Sequence, residues 1–427
     1  MFWNRELDVL VAGAGPVGMF ASLLLADRGL RVRLIDEQYR CTAQSYALGL
    51  HPRSLELLDE AGVADELISR GRPLSAMAFY SGNERRAELS FSKGGSRFPF
   101  LLVLPQCTLE EVLERHLLRR KVRVEWKHRL ESARPAGKGL RAVVHELARE
   151  STGYAAVPAD WIVDQELTVR SSYVLGADGH RSTVRRQLGI PFDEVGSSQL
   201  FAVFEFSTEG PDLDEARVAI DNAGVSVLWP LGNGRFRLGF EMKSEAPPES
   251  PREKSRLFVV VGDSSFVYLH PDSLQKLIAA RTPWFEHRIG EIRWSMAVRF
   301  ERRLAGRFGQ GRTWLAGDAA HLSPPIGLWS MNIGLREAAD LAWRLAAVLR
   351  EESAPSMLDI YGHNFFEEWR ALLTSRPTRP ASGAAGWAEQ NADQILPCIP
   401  ASGEELAKLL AQLGLAQTAA HLRGKVD

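Results

Sequence analysis

The stretch LDVLVAGAGPVGMFASLLLADRGLRVRLIDEQ, residues 7–38, constrains the fold more than any other. A short apolar strand runs into Gly13-Ala14-Gly15-Pro16-Val17-Gly18, a helix follows, and RVRLID reads as a second strand, so the whole is one βαβ unit. In such a GxGxxG turn Gly13 permits the tight bend, Gly15 lets backbone approach a pyrophosphate, and Gly18 packs helix on strand. The helix N-terminus favours the phosphate charge. Asp36 closes the second strand, where a carboxylate takes a ribose hydroxyl; of the adjacent acids Asp36 and Glu37, one is expected to hold the ribose and the other to face water. The expected ligand is an adenine dinucleotide. The same apolar run is long enough to be mistaken for a signal or membrane segment, but its glycines stand at motif spacing and no cleavage pattern follows.

With 427 residues, 45% hydrophobic and 25% charged, the chain can bury a large core in one composite domain or two intimate ones. Its 52 basic and 53 acidic residues leave a formal net charge of -1, which argues against a nucleic-acid partner and for a small-molecule one. Cys41, Cys107 and Cys398 are far apart with no CxxC pair, against both a zinc site and a disulfide framework. A reducing, cytoplasmic setting without a transmembrane segment is expected.

Further along, PRSLELLDEAGVADELISRG and PQCTLEEVLERHLLRR have helical spacing, and KVRVEWKHRLESARP reads as a strand pair or a bent strand. YVLGADGHRSTVRRQLGI runs strand, turn, helix. Between about 195 and 300 the texture changes to short alternating runs broken by turn residues, an antiparallel sheet inserted in the nucleotide-binding fold. Two long helices follow, MNIGLREAADLAWRLAAVLREE and MLDIYGHNFFEEWRALL, then a linker and a closing helical pair. The charges of the first long helix are expected on a solvated face.

The βαβ unit alone leaves FAD and NAD open. GADGHRSTVRR, residues 176–186, and GRTWLAGDAAHLSPP, residues 311–325, stand in the order and at the separations of a known group. On these three fingerprints the sequence resembles the class A flavin monooxygenases with the para-hydroxybenzoate hydroxylase fold, over about residues 5–375. The resemblance implies an α/β fold: a Rossmann-like FAD-binding domain with an inserted, mainly antiparallel substrate sheet and C-terminal helices. The expected division gives FAD-binding parts at 1–75, 101–190 and 299–375, substrate-domain parts at 76–100 and 191–298, and a C-terminal linker with helices at 376–427.

It also implies roles. Asp318 with Gly317 would bind the ribityl and phosphate part of FAD, Pro325 and Gly327 would line the flavin ring, and Met331 and Asn332 would set a helix start near its pyrimidine edge. Asp178 with Gly179 would serve FAD and the nicotinamide donor, Gln106 would reach the ribityl region, and Leu130 would offer backbone to adenine. On the residues alone, Asp178 has a second reading as a helix cap near Ser182, and Gln106 as a loop residue satisfied by backbone. Two departures stand out. Tyr46 occupies the place of an arginine near the pyrophosphate, with Arg40 or Arg53 as substitutes for the lost charge. Where the family has Gly-Gly-Gln-Gly-Met-Asn, this chain has Gly327-Leu328-Trp329-Ser330-Met331-Asn332, whose bulk must crowd the flavin or point away.

The expected activity is that of an NAD(P)H-dependent FAD monooxygenase that hydroxylates or epoxidises an aromatic or conjugated small molecule; the resemblance implies oxygen addition at flavin C4a and transfer from the hydroperoxide. The alternatives are an FAD-dependent reductase or dehydrogenase on the same fold, and a flavin-binding protein without oxygenase turnover. His321 reads as a structural hydrogen-bonding residue rather than a base. Catalytic residues are not assigned; Trp229, Phe204 and Arg237 on the inserted strands are candidates for core or cavity, and Trp329 for the cavity or for packing under the following helix.

Overall fold

The computed structural model describes residues 7–40, 48–149, 161–243, 258–261, 264–267, 269, 271–374 and 386–416. Leu7–Ala12 lies parallel between Val32–Asp36 and the end of the long strand Trp161–Gly176. Thr313–Leu315 extends this sheet on one side and Val124–Trp126 on the other, both parallel. Strands sandwiched in this way are apolar on both faces, as Val9, Leu10 and Val11 are. The helix Pro16–Asp27, itself buried from Met19 to Leu25, is enclosed by the sheet and by the helices Gln106–Arg119 and Trp329–Leu349.

The carboxyl ends of three parallel strands, Ala12, Gly176 and Leu315, reach one edge of the sheet together. The turns that follow them carry the three glycine fingerprints. Ligands of open α/β sheets bind at this edge.

KVRVEWKHRLESARP breaks at Lys127, whose φ is +61°. Val124–Trp126 stays in the parallel sheet, whereas His128–Ala136 turns away and pairs antiparallel with Gly139–Arg149, which pairs in turn with Trp161–Gly176. That ribbon had no counterpart in the sequence reading.

The second sheet runs, edge to edge, His321–Leu322, Arg288–Ala305, Phe192–Glu209, Arg235–Met242, Gly224–Gly232, Glu215–Asp221, Ala76–Ser81, Glu84–Ser90. Pairing is antiparallel except between Glu215–Asp221 and Ala76–Ser81. Residues 76–90 thus join strands remote in sequence, and Arg288–Ala305 runs unbroken past position 298. Phe204, Phe206, Phe236, Leu238 and Phe240 form one face, closed by Leu274 and Leu277 of the helix Pro271–Arg281 and by Phe285. Phe204 therefore belongs to this second core and not to a cavity, because the strand period of two sends it away from Val203 and Glu205.

Trp387–Gln390, Ala392–Ile395 and Gly403–Gln412 fold back over the inserted sheet. Gln412 fastens the last helix by accepting from the Ser90 N–H (2.9 Å) and donating to the Ser90 carbonyl (3.0 Å). Residues 417–427, where the second helix of the expected closing pair falls, lie outside the described residues. No helix among the described residues is long and apolar enough to cross a membrane.

Candidate functional site

The three fingerprints meet in van der Waals contact. A Cβ at Gly13 would stand 2.1 Å from the Ala177 carbonyl oxygen, so the first turn abuts the second. One at Gly317 would stand 3.0 Å from Val17, and one at Gly334 would stand 2.7 Å from the same side chain, so the third turn and its helix close on the first. Gly15 differs: nothing lies within 4 Å of a Cβ there, and the helix that starts at Pro16 has no side-chain cap. Uncapped amides beside open space form the cradle that a pyrophosphate needs.

Asp36 ends the second strand with its carboxylate turned back to this turn, Oδ2 accepting from the Ala14 N–H (2.6 Å) and Oδ1 from the Gln38 N–H (2.7 Å). Burial raises its pKa, and the two amide donors work against that rise. Glu37 is exposed. Asp318 is the exposed residue in a buried run from Trp314 to Ala320. Its carboxyl nevertheless sits among enclosing protein walls, which raise its pKa, while His321 and His180 pull it down. A carboxyl in a walled but open recess suits a polyhydroxylated chain. The residues present fit FAD, which would set its pyrophosphate at Gly15, its ribose at Asp36 and its ribityl chain at Asp318.

The other residues singled out in the sequence make local contacts within the protein. Asp178 caps the helix Thr183–Gln187, accepting from the Ser182 hydroxyl (2.5 Å) and the N–H groups of Thr183 (2.7 Å) and Val184 (3.1 Å). Gly179 beside it has φ +73° and open space around a Cβ. Gln106 starts the helix Gln106–Arg119 and donates to Glu110 (2.6 Å). Leu130 points its side chain into the core from the strand His128–Ala136. Tyr46 lies outside the described residues; Arg53 pairs with Glu56, and Arg40 stacks over Tyr39.

The bulky loop is resolved by packing. Trp329 is 2% exposed, and its indole N–H donates to the Ile399 carbonyl (2.9 Å). The ring folds over Gly327, where a Cβ would come within 2.8 Å of both the indole and the Pro397 carbonyl. The indole thus joins the loop to the C-terminal segment, which corrects its candidacy as a cavity wall. Leu328 takes a left-handed conformation (φ +56°, ψ 29°) at a cost of about 1–2 kcal/mol and inserts its side chain beside Gly49. Asn332 is buried, with its side chain donating to the carbonyls of Gly49 (2.9 Å) and Leu328 (2.7 Å) and accepting from the His51 N–H (2.7 Å). Ser330, Met331 and Asn332 stand in the first turn of the helix Trp329–Leu349, whose leading amides have no acceptor one turn back. His51 Nε2 meets the Gly327 carbonyl at 2.9 Å, and burial lowers its pKa to about 3, so the ring is neutral and Nε2 donates.

Three buried charged residues escaped the sequence reading. Glu337 was expected on a solvated helix face and is 0% exposed. It accepts from the Gly317 N–H (2.7 Å) and the Trp369 indole (2.8 Å) and bonds His321 Nε2 (3.0 Å), which fixes the turn carrying Asp318. His321 stacks on Trp369 at 3.8 Å, a structural role. Arg344, another residue of that supposed face, is buried on Asp340 and the Met357 carbonyl. Arg185 ties the second fingerprint to the third by donating to the carbonyls of His180 and Ala319, both at 2.8 Å. An acid or base at a buried helical phase was the available signal.

Over the Pro325–Leu328 loop lies the near face of the inserted sheet: Phe201, Val203, Val227, Trp229 and Phe300. At its far end Trp229, Arg237, Glu205 and Trp294 are successive cross-strand partners. Arg237 pairs with Glu205 at 2.9 Å, the Trp294 indole donates to the same carboxylate oxygen at 3.2 Å, and the guanidinium stands 4.9 Å from the Trp294 ring.

A dinucleotide cradle at the carboxyl edge of a parallel sheet, joined to an inserted antiparallel sheet, defines a flavoprotein of the class A type. The sequence profile described as FAD binding domain matches residues 6–372, and the chain belongs to that family. Among curated proteins it is 30% identical over 382 residues to the 6-methylpretetramide 4-monooxygenase of Streptomyces rimosus, covering 88% of this chain and 62% of that protein. It is 26% identical over 372 residues to a 3-(3-hydroxy-phenyl)propionate/3-hydroxycinnamic acid hydroxylase of a Mycobacterium strain, covering 87% and 59%. The chain therefore spans about three fifths of these relatives' length. Among solved structures, p-nitrophenol 4-monooxygenase from Pseudomonas putida shares the fold (TM-score 0.68, 20% identity, 96% of this chain and 97% of that one). Aklavinone-11 hydroxylase, solved with FAD and aklavinone, gives TM-score 0.64 at 25% identity over 86% of this chain and 68% of that one.

Proposed function

We propose that the protein is an FAD-dependent monooxygenase that uses NAD(P)H and dioxygen to oxygenate a small aromatic or conjugated molecule. The observation that carries this reading is the aromatic near face, with Phe201, Trp229 and Phe300 set over the loop Pro325–Leu328. An apolar roof above a flavin loop excludes water from the place where oxygen is transferred. Bound FAD supplies hydride acceptance from NAD(P)H and activation of dioxygen. The residues that would hold it are the uncapped amides after Gly15 for the pyrophosphate, Asp36 for the ribose and Asp318 for the ribityl hydroxyls, and the positive end of the helix at Trp329 would favour the charge of the reduced ring. Neutral His51 fixes the Gly327 carbonyl, and Asn332 and Trp329 fix the loop on either side.

The test is product analysis after turnover of the FAD-loaded chain with NAD(P)H, an aromatic acceptor and isotopically labelled dioxygen. Label in the product supports the proposal. Product without label points to a reductase or dehydrogenase, and flavin reduction that never yields product points to a binding protein.

A further inference from the structure

Packing explains Leu328 and Trp329 among residues 327–332 and leaves Ser330 without a role. The run from Ser323 to Gly334 is buried except at Pro325, Ser330 and Met331, and Met331 packs against the main core. Ser330 is therefore the polar side chain that the start of the helix Trp329–Leu349 leaves partly open. Helix phase gives its direction. Gly334 and Glu337 follow it by four and seven residues and so share its face. Gly334 abuts Val17 and Gly317, and Glu337 accepts from the Gly317 N–H. One turn nearer the helix start, the same face carries Ser330 toward the recess that Asp318 and the first glycine turn enclose.

The hydroxyl itself is held by a second serine. Ser323 is 9% exposed, and its Oγ lies 3.0 Å from Ser330 Oγ. The other acceptor within its reach, the Pro324 carbonyl, is at 3.5 Å, the limit of a hydrogen bond. A buried hydroxyl gives its one proton to the better acceptor, so Ser323 donates and Ser330 accepts. Ser330 keeps its own proton to give, and among the described residues its hydroxyl makes no second hydrogen bond. The glycine that the family pattern carries at this position has no such proton.

We propose that the Ser330 hydroxyl, oriented by Ser323, donates a hydrogen bond to the pyrimidine edge of bound FAD and raises the cofactor's reduction potential. Uptake of two electrons and one proton leaves the reduced ring with a negative charge spread over that edge. A hydrogen bond to a charged acceptor is about twice as strong as one to a neutral acceptor. The hydroxyl therefore holds the reduced ring more tightly than the oxidised one, which favours reduction. The donor is additional to the amides of the helix start, and the assignment rests on the FAD reading of the recess.

The test is the midpoint potential of the full chain loaded with FAD, without acceptor substrate, reduced by xanthine and xanthine oxidase against a reference dye over a range of pH. In Ser330→Ala the ratio of reduced to oxidised flavin at a fixed solution potential should fall about tenfold, a shift of about 30 mV for a two-electron couple. Ser330→Gly should do the same and covers the case in which the alanine variant folds poorly. Ser330→Thr, which restores a hydroxyl, should keep the ratio within about twofold of the parent. The pH at which the potential changes slope, as N1 of the reduced ring gains a proton, should rise in the alanine and glycine variants, because the anion has lost a donor. The proposal is overturned by an unmoved potential in Ser330→Ala and Ser330→Gly, by an unmoved slope change in both, or by a fall in Ser330→Thr as large as in Ser330→Ala. A parent chain that takes up no FAD overturns the cofactor reading together with this one, whereas FAD uptake with a potential indifferent to Ser330 overturns the hydroxyl's role alone.

Discussion

The inserted sheet presents two faces made from the same strands, and they are built to different rules. On the far face Phe204, Phe206, Phe236 and Phe240 meet Phe285 and the helix Pro271–Arg281 in an all-apolar core. On the near face the alternate residues include Glu205, Arg237, Gln199, Glu241 and Arg302, polar groups among Phe201, Val203 and Phe300. A buried ion pair contributes less to stability than apolar packing of the same volume. Stability alone therefore does not account for the near face, and its polar groups gather where that face meets the loop Pro325–Leu328 and the cleft beside Pro324 and Ile326. One face holds the sheet together and the other spends stability on a site.

That contrast is broken most sharply on the far side. Phe236→Ala, which empties a fully buried position stacked on Phe206 and edge-on to Phe285, should cost about 3–5 kcal/mol in denaturant melts, while FAD content per folded molecule stays unchanged. Flavin loss in proportion to the lost stability would show that the far face is coupled to the site. Next, Glu205→Leu should cost about 3–4 kcal/mol by removing the carboxylate that pairs with the buried Arg237, and adding Arg237→Met should recover most of that stability. If the double variant is as unstable as the single, the pair is structural and the two faces are alike.

The loop under the near face gives the third test. Trp329→Gln should cost about 2–3 kcal/mol and expose the segment after Trp387 to limited proteolysis, since the indole's bond to Ile399 and its packing on Gly327 are both lost. A variant that melts normally but changes substrate preference would return Trp329 to the cavity. The smallest effect is one of pH. Burial depresses the His51 pKa from 6.5 to about 3, so the folded state binds fewer protons than the unfolded chain below pH 6.5. Stability should fall as pH drops from 7.5, by about 2 kcal/mol at pH 5, and His51→Gln should remove that part of the slope. An unchanged slope in the variant would mean that other groups set it.

The βαβ unit and the two later fingerprints were legible because each depends on local backbone demands. Gly13 and Gly18 have no room for a side chain and Gly317 takes a left-handed φ of +64°, and such demands leave residues at fixed spacing in the sequence. The alternation through SQLFAVFEFS likewise announced a sheet, since a strand's period of two is local. Which face of that sheet Phe204 or Arg237 joins was not local: it depends on the helix Pro271–Arg281 covering one side and the loop Pro325–Leu328 the other. Glu337 looked like any acid on an amphipathic helix, and only the arrival of Gly317, His321 and Trp369 from elsewhere in the chain makes it a buried acceptor. The destination of Trp329 was equally open, because the carbonyl that takes its N–H belongs to Ile399. Sequence determined the elements and the cofactor turns, whose constraints lie within a few bonds; tertiary structure decided the burial and partners of the polar side chains, because a charge or an indole N–H is satisfied by whatever the fold brings beside it.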